Sequence, residues 1–265
     1  MTPKPFHYAE FAPTPTLADH VLTYWAFESH MPAGESFRHH VWPDGCVSLQ
    51  VVTRGGAVLR SSIKGPVLES GVVPITGGLT VVGVRFRPDT GGIVLGVPAP
   101  ELRDRVVPAE RVLGPEIGRV AAAAAAAVPD RTAVAAVFDA WLSTRIEGGP
   151  PIDAIVRRAV HAIVGARGNL SITRLAADVG LGIRQLQRRF RRATGLSPKE
   201  YARIRRLRTA LYAVLRGESG WSGLAHALGY ADQSHLIHEF GDMTGFAPEA
   251  LRERLGLIEH VDVTP

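Results

Sequence analysis

The first half of the chain alternates short apolar runs with turn-forming sequences. Runs rich in β-branched and aromatic residues over 20–29, 46–53 and 79–87 predict strands. Glycine- and proline-containing turns separate these runs. Two segments with helical pattern follow, over 115–127 and 130–145. We therefore predict a β-rich N-terminal domain, a barrel or a sandwich, that ends in helices.

The pattern changes after residues 146–151, where the sequence IEGGPP cannot continue a helix. Beyond it, apolar residues recur at helical spacing to about residue 256. The expected fold class is therefore α+β, with a β-rich domain over residues 1–147 and an all-α domain over residues 148–265. From its length, the chain is expected to hold about two domains.

An internal repeat lies in the second half. Residues 175–198 and residues 224–248 share the order Leu-Ala, Gly, Leu, Phe, Thr-Gly and Pro, and the second copy has one extra residue in its turn. Gly180 and Gly229 predict left-handed helix ends, each followed by a tight turn and a second helix. In that second helix, apolar residues four apart anchor one face and present the other outward. Each copy therefore predicts a helix-turn-helix, whose second helix enters the major groove of DNA.

The first helix-turn-helix is expected at about 171–193, a linker helix at about 197–216 and the second helix-turn-helix at about 221–244. A linker helix of this length spans about 30 Å, which is close to the roughly 34 Å of one turn of B-DNA. One chain could therefore place its two recognition helices in successive major grooves. The linker carries four arginines that either touch the DNA backbone or keep the helix soluble: Arg203, Arg205, Arg206 and Arg208.

Positive charge is concentrated in the region of the first copy of the repeat. Between Arg157 and Arg216 there are 15 basic side chains and two acidic ones, Asp178 and Glu200. A concentrated basic surface attracts a polyanion through its field and through counterion release. The outward face of the first recognition helix is expected to contact DNA through Arg184, Gln185, Gln187, Arg188, Arg191 and Arg192. Arginine can read guanine and glutamine can read adenine, and the remaining side chains can hold phosphates.

The second recognition helix presents fewer basic groups. Its expected DNA-contacting residues are Gln233, Ser234, His235 and His238. Glu239 and Asp242 lie close by in the sequence, and acidic groups repel DNA. The second copy therefore either contacts the groove or has a mainly structural role.

The composition limits the class of protein. Hydrophobic residues make up 46% of the chain, so folded cores are expected, and Cys46 is the one cysteine, which excludes an internal disulfide. A single cysteine suits a reducing cytoplasm, and no apolar stretch resembles a signal peptide or a membrane span. We expect a cytoplasmic protein without a membrane partner.

With these motifs, residues 152–256 resemble the AraC/XylS family of transcription regulators. The likeness is carried by LAADVGLGIRQLQRRFRRATGLSPKEYARIRRLRTAL and LAHALGYADQSHLIHEFGDMTGFAPEALRERL. The resemblance implies seven helices, promoter DNA as partner and, for an activator, contact with RNA polymerase. It also implies base contacts from Arg184, Gln187, Arg188, Gln233, Ser234 and His238. The chain departs from the family's basic residues at His238, Gly241 and Asp242, which weakens the expectation for the second helix.

The N-terminal half resembles an uncharacterised sensor domain that accompanies some members of this family. The sequences WPDGCVSLQVV and VVGVRFRPDTGGIVLGVPAPELRDRVVP carry the likeness. It implies that this half senses a small molecule or forms a homodimer, often on a cupin-like barrel. Trp42, Arg85 and Arg87 are the candidate ligand-binding residues, because Arg85 and Arg87 face one side of a strand and could balance an anionic effector. The alternative is a solvent-facing pair of arginines.

Other functional classes require features that are weak in this sequence. His39 and His40 are adjacent on a strand, so they point to opposite faces and are not expected to bind one metal ion. A repair or methyl-sensing protein would need an activated Cys46, whereas a buried apolar role suits a lone cysteine better. A protein-interaction adaptor that has lost DNA binding is a third alternative. We expect no enzyme activity, no cofactor and no metal.

Overall fold

The computed structural model describes residues 4–218 and 220–261. Its strands are β1 Phe6–Phe11, β2 Val21–Ser29, β3 Ser36–Val41, β4 Ser48–Arg54, β5 Ala57–Lys64, β6 Gly71–Thr76, β7 Leu79–Phe86, β8 Val106–Pro108 and β9 Ile258–Val261. Its α-helices are α1 Gly91–Leu95, α2 Ala99–Leu102, α3 Ala109–Leu113, α4 Glu116–Ala127, α5 Arg131–Ile146, α6 Ala154–Gly165, α7 Ile172–Asp178, α8 Ile183–Thr194, α9 Pro198–Leu215, α10 Trp221–Ala227, α11 Gln233–Thr244 and α12 Pro248–Gly256. The predicted α+β class is confirmed.

A seven-stranded sheet forms the centre of the N-terminal half, in the order β8-β5-β4-β7-β2-β1-β9. Side chains alternate between its faces, so that Tyr24 and Ala26 enter one core and Trp25 and Phe27 enter another. The first core lies under α4 and α5. The second lies under a separate ribbon of β3 and β6. Of the two predicted forms, the sandwich describes this arrangement.

The C-terminal half contains seven helices within the described residues, α6 to α12, as the resemblance implies. The apolar positions of α9 form the centre of their shared core, which includes Ile204, Leu207 and Leu211. Because these residues recur every three or four positions, one face of α9 is buried along its length. Both helix-turn-helix copies therefore pack against the same linker helix. No helix among the described residues is long and apolar enough to cross a membrane.

The two copies of the repeat agree in atomic detail. Gly180 and Gly229 have φ angles of 73° and 75°, which confirms the predicted left-handed helix ends. Each recognition helix ends on a buried threonine. The Thr194 hydroxyl donates to the Phe190 carbonyl at 2.9 Å, and the Thr244 hydroxyl donates to the Phe240 carbonyl at 2.7 Å. The repeat in the sequence is thus a repeat of helix-ending interactions.

The end of the described chain returns to the N-terminal sheet. Strand β9 pairs in parallel with β1, and Phe6 lies opposite Ile258. An edge strand such as β1 offers unpaired backbone groups that a further strand can satisfy. Residues 258–261, which we placed in the all-α domain, therefore belong to the N-terminal sheet.

Candidate nucleic-acid interface

The first recognition helix, α8, has one buried and one exposed face. Leu186 and Phe190 are fully buried, and the Phe190 ring lies 5.8 Å from that of Tyr201 on α9. Burying an apolar side chain of this size contributes about 1.5–3 kcal/mol, so these two residues fix the rotation of α8 about its axis. The opposite face is thereby held outward.

All six side chains expected to contact DNA are exposed on that outer face: Arg184, Gln185, Gln187, Arg188, Arg191 and Arg192. Gln185 also has a structural role, because its side-chain oxygen accepts from the Gly182 N–H at 3.3 Å at the start of the helix. Their neighbour Arg189 is turned away and donates twice, at 2.9 Å, to Asp153. Asp153 also caps the start of α6, so Arg189 ties α8 to the first helix of the domain.

The second recognition helix, α11, presents Gln233, Ser234, His235 and His238 to solvent. The His235 ring packs edge-on against Tyr230 at 5.2 Å. The His238 Nε2 atom lies 3.7 Å from the Asp242 carboxylate, and both side chains are largely exposed. This helix therefore offers a polar surface with one exposed carboxylate and little positive charge.

Glu239 does not contribute to that surface, contrary to the expectation that it repels DNA. Its carboxylate lies 3.2 Å from Arg203 and 3.1 Å from Arg206, both on α9, and accepts from the Tyr230 hydroxyl at 2.7 Å. Burial alone would raise the pKa of Glu239, but Tyr230, Arg206 and Arg203 hold it below its usual range. This carboxylate is a structural group behind the recognition helix.

The four linker arginines, expected either to touch the DNA backbone or to keep the helix soluble, are all partly buried. Arg203 and Arg206 bind Glu239, as described above. Arg205 is half-buried, and its Nε atom is buried without a hydrogen-bond partner among the described residues. Arg208 donates to the Tyr212 hydroxyl at 2.7 Å and lines a cavity against the N-terminal half. Three of the four linker arginines, Arg203, Arg206 and Arg208, therefore bind other side chains of the protein.

The N-terminal half contacts the same end of both recognition helices. Gly195, which ends α8, approaches α2 so closely that an added Cβ would lie 2.9 Å from the Ala99 carbonyl oxygen. At the end of α11, the Ser70 N–H donates to the Met243 carbonyl at 2.9 Å. The Ser70 hydroxyl donates to the Thr244 carbonyl at 3.0 Å. These contacts leave the outer faces of α8 and α11 open.

Two adjoining chambers share Asp44 and Arg85: the inner one lies within the N-terminal half, and the outer one lies between the halves. The inner chamber, of about 130 Å³, is enclosed by the sheet and the β3–β6 ribbon. The outer chamber, of about 140 Å³, extends from the same sheet and β3 to α9 and α12. Of the three predicted ligand-binding residues, Trp42 lines the outer chamber and Arg85 lines both. Arg87 does not join them, because β7 ends at Phe86 and the Arg87 Nε atom donates to the Ala18 carbonyl.

Arg85 is the centre of a buried ionic network in the cavity wall. It lies 2.6 Å from Glu10 and 2.9 Å from Asp44, and its Nη2 atom donates to the Tyr8 hydroxyl at 3.1 Å. Burial opposes the charge on Arg85, but Tyr8, Asp44 and Glu10 raise its pKa. Burial would raise the pKa of Asp44, and Arg85, Lys64 and Arg208 hold it below its usual range. Arg85 and Asp44 are therefore charged in the folded protein.

Sequence reasoning missed Glu10, Asp44, Lys64 and Tyr8 as parts of this cavity. Glu10 alternates with apolar residues in β1, which is the usual pattern of a solvent-facing side chain. Glu10 is nevertheless buried and lines the outer chamber, beside β3 and α9. Asp44 lies just before β4, where its side chain accepts from the Cys46 N–H at 3.0 Å.

The other candidate groups have structural surroundings. His39 packs on Phe27 at 4.8 Å and His40 on Phe246 at 4.6 Å, as expected of side chains on opposite faces of a strand. Cys46 is buried, and burial together with Asp44 raises the pKa of its thiol to about 12. A thiol with a raised pKa forms little thiolate, so Cys46 is not an activated nucleophile.

One group outside the cavity has the composition of a metal site. Potential ligand atoms of His7, Glu28 and His30 lie within 4.8 Å of one another. The Arg131 guanidinium, however, lies 3.1 Å from the His7 Nε2 atom. A cation next to a ligand disfavours a second cation, so this cluster is better explained as a surface polar network.

Two family models match separate parts of the chain. Residues 175–254 match the family described as a helix-turn-helix domain, and residues 9–108 match a domain of unknown function (DUF6597). The HTH-type transcriptional activators RhaS of Pectobacterium atrosepticum and Pectobacterium carotovorum are each 28% identical to this chain over 103 residues. The match spans 37% of this chain and only 37% of each relative.

Two solved structures are similar to this chain in part or over most of its length. A probable AraC family transcriptional regulator from Rhodopseudomonas palustris is 25% identical, covers 38% of this chain and 97% of its own, and has a TM-score of 0.34. Apo ToxT K231A from Vibrio cholerae is 10% identical, covers 87% of this chain and 97% of its own, and has a TM-score of 0.46. The comparisons therefore show a helix-turn-helix domain over residues 175–254, in the half of the chain that holds the paired motifs and the linker helix between them.

Proposed function

We propose that the protein is a sequence-specific DNA-binding transcription regulator. The observation that carries the proposal is the outer face of α8, where five arginine and glutamine side chains besides Gln185 are exposed opposite the buried Leu186 and Phe190. Arginine hydrogen-bonds guanine with two donors, and glutamine pairs with adenine in the major groove. We assign base reading to Arg184, Gln187 and Arg188.

Phosphate contacts complete this interface. Arg191 and Arg192, one turn further along α8, are placed to hold the DNA backbone. The second helix, α11, contributes weaker contacts through Gln233, Ser234, His235 and His238. The linker helix α9 has 18 residues and is therefore about 27 Å long, which suits two recognition helices in adjacent grooves of one duplex.

The N-terminal half is proposed to regulate this binding. Residues 1–147 form the sensing or dimerisation domain, and residues 148–257 the DNA-binding domain, with β9 returning to the sheet. The cavity lined by Trp42 and Arg85 is the proposed effector site, and its contact with α9 supports direct coupling to the DNA-binding domain. A homodimer formed through the N-terminal domain is the second proposed mode of regulation. An activator of this kind would also contact RNA polymerase.

The proposal is tested by selecting genomic DNA fragments with the full chain at several salt concentrations. We expect one or a few promoter regions to be enriched and the affinity to fall steeply with salt. Arg188→Ala should lose the enrichment, since removing a bidentate base contact costs about 1–3 kcal/mol. Arg119→Ala is the matched control, because Arg119 is an exposed arginine of α4 in the N-terminal half.

Two results would contradict the proposal. Uniform binding that Arg188→Ala does not alter would show that α8 does not read bases. Absence of salt-dependent DNA binding in the wild type would favour an interaction adaptor, whose partner would then be a protein.

A further inference from the structure

Three neighbouring strands place Lys64, Ser48 and Arg85 in one row across the sheet. Ser48 of β4 lies opposite Lys64 of β5 on one side and opposite Arg85 of β7 on the other. Residues directly opposite in a sheet point to the same face. All three side chains line the inner chamber.

This row contains hydrogen-bond donors that the protein leaves unused. The Lys64 ammonium has no hydrogen bond or ion pair with any residue the structure describes. The hydroxyl of Ser48, a residue 5% exposed, likewise has no partner in the described ranges. Trp25 also lines the chamber, and its indole N–H is buried without an acceptor among those residues. A buried donor without an acceptor, as at the Trp25 indole, is uncommon because nothing offsets its loss of hydration.

Asp44 attracts Lys64 through its charge, but no described hydrogen bond or ion pair joins the two side chains. One oxygen of Asp44 accepts from the Cys46 N–H and the other lies 2.9 Å from the Arg85 Nε atom. Arg85 holds Glu10 as well, so two carboxylates are bound by one guanidinium. Among the described residues, neither Lys64 nor Arg60, which also lines the chamber, forms an ion pair. The wall therefore holds three basic side chains, and only Arg85 is paired with carboxylates.

The other end of the chamber is apolar. It is formed by Phe27, Val81, Ile75 and Leu79, together with the ring of Trp25. Along β7, Val81 and Arg85 are four residues apart, which corresponds to about 13 Å. An engineered apolar cavity of about 150 Å³ binds benzene, so the chamber's 130 Å³ suits one ring-sized group.

We propose that the inner chamber binds a small organic monocarboxylate, which places its carboxylate between Lys64, Ser48 and Arg85 and a ring-sized apolar group against Trp25 and Phe27. The proposal deepens the effector site of the proposed function and rests on it. Asp44 and Arg85 also line the outer chamber, whose far wall is α9. A carboxylate that competes with Asp44 for Arg85 therefore changes the contacts of two residues that line the same chamber as the linker helix.

The test is calorimetric titration of the full chain with 3-phenylpropionate, cyclohexylacetate and hexanoate, and with the amide of each. The amides keep the shape and lose the charge. At least one carboxylate should bind tenfold or more tightly than its amide, since hydrogen bonds to a charged group are stronger than those to a neutral one. Lys64→Met should lose about tenfold in carboxylate affinity and leave amide binding unchanged. Lys199→Met, an exposed lysine on α9, is the matched control.

Three outcomes would overturn the proposal: no carboxylate binds, amides bind as tightly as carboxylates, or Lys64→Met keeps full affinity. If Lys64→Met fails to fold, the comparison of carboxylate with amide on the wild type decides alone. DNA affinity measured on the same wild-type sample separates the two proposals. DNA binding without carboxylate binding refutes only the ligand class, and the reverse result refutes only the regulator.

Discussion

Arg103 and Glu200 join the two halves of the molecule through a paired contact. The Arg103 guanidinium donates to both oxygens of Glu200, at 3.2 and 2.9 Å. The same carboxylate accepts from the Ser197 N–H at 2.7 Å, which completes the capping box at the start of α9. A residue of the N-terminal half thus holds the first turn of the linker helix.

This contact predicts a loss of stability in acid. Burial alone would raise the pKa of Glu200, but hydrogen bonds from Arg103 and Ser197 lower it to about 2, from 4.5 in the unfolded chain. A depressed carboxyl pKa stabilises the fold at all pH values above 4.5, and this stabilisation is lost as the pH falls through about 2. In urea unfolding, the difference between wild type and Glu200→Gln should therefore be constant above about pH 5 and shrink below it.

The matched control for this measurement is Glu249→Gln, because Glu249 is an exposed glutamate in the first turn of α12. We expect it to change the free energy of unfolding by less than about 0.5 kcal/mol at any pH. A Glu200→Gln effect that does not vary with pH would contradict the assignment.

The helix-turn-helix motifs could be predicted because their signals are local. A left-handed glycine, an apolar pair four apart and a terminal threonine each act within one turn of helix, so Gly180, Phe190 and Thr194 identify the motif without knowledge of the rest of the fold. The strands of 20–29, 46–53 and 79–87 were likewise visible as apolar runs. By contrast, β3 and β6 carry mostly polar or exposed residues, and the ribbon that they form depends on pairing across 30 or more positions.

The cavity could not be predicted for the same physical reason. Glu10, Asp44, Lys64 and Arg85 are far apart in the sequence, and each alone has the pattern of a surface charge. They meet because strand order brings β1, β5 and β7 into one sheet and the ribbon covers that face. Glu239 is similar, since its partners Arg203 and Arg206 lie more than 30 residues earlier, on another helix.

A second contact between the halves predicts a large effect on stability. The Arg157 Nε atom of α6 donates to the carboxylate of Asp89, a residue that is 1% exposed. Removing one partner of a buried ion pair leaves an uncompensated charge and costs about 3–5 kcal/mol. Arg157→Met should lower the free energy of unfolding by about this amount in urea titration, and adding Asp89→Asn should recover much of the loss.

Arg158→Met provides the control for that experiment, because Arg158 is the exposed neighbour on the same helix. Its effect should stay within about 0.5 kcal/mol. Additive effects of Arg157→Met and Asp89→Asn would show that the two side chains do not interact.

Burial of Cys46 predicts an inert thiol. Burial, with the nearby Asp44 charge, raises the pKa of the thiol to about 12, so that almost no thiolate forms at neutral pH. Iodoacetamide should leave the folded chain unmodified and label it fully after unfolding in urea, as read by mass spectrometry. Rapid labelling of the folded chain, or methyl transfer to it from alkylated DNA, would restore the repair alternative.

Asp242 predicts a gain of DNA affinity on substitution. It is the exposed carboxylate next to His238 on α11, whereas Glu239 is already bound by two arginines. If α11 lies against the duplex, Asp242 faces phosphates, and removing its charge should strengthen binding by up to about 1 kcal/mol, or roughly fivefold, at low salt. The gain should shrink as salt is raised, because exposed charges are screened.

The measurement is a titration of a DNA fragment that the wild type enriches, with Asp242→Asn and with a control variant. The control is Glu35→Gln, because Glu35 is an exposed residue of the N-terminal half. Equal affinity of Asp242→Asn and wild type at every salt concentration would mean that α11 stays away from the DNA and that α8 provides the recognition alone.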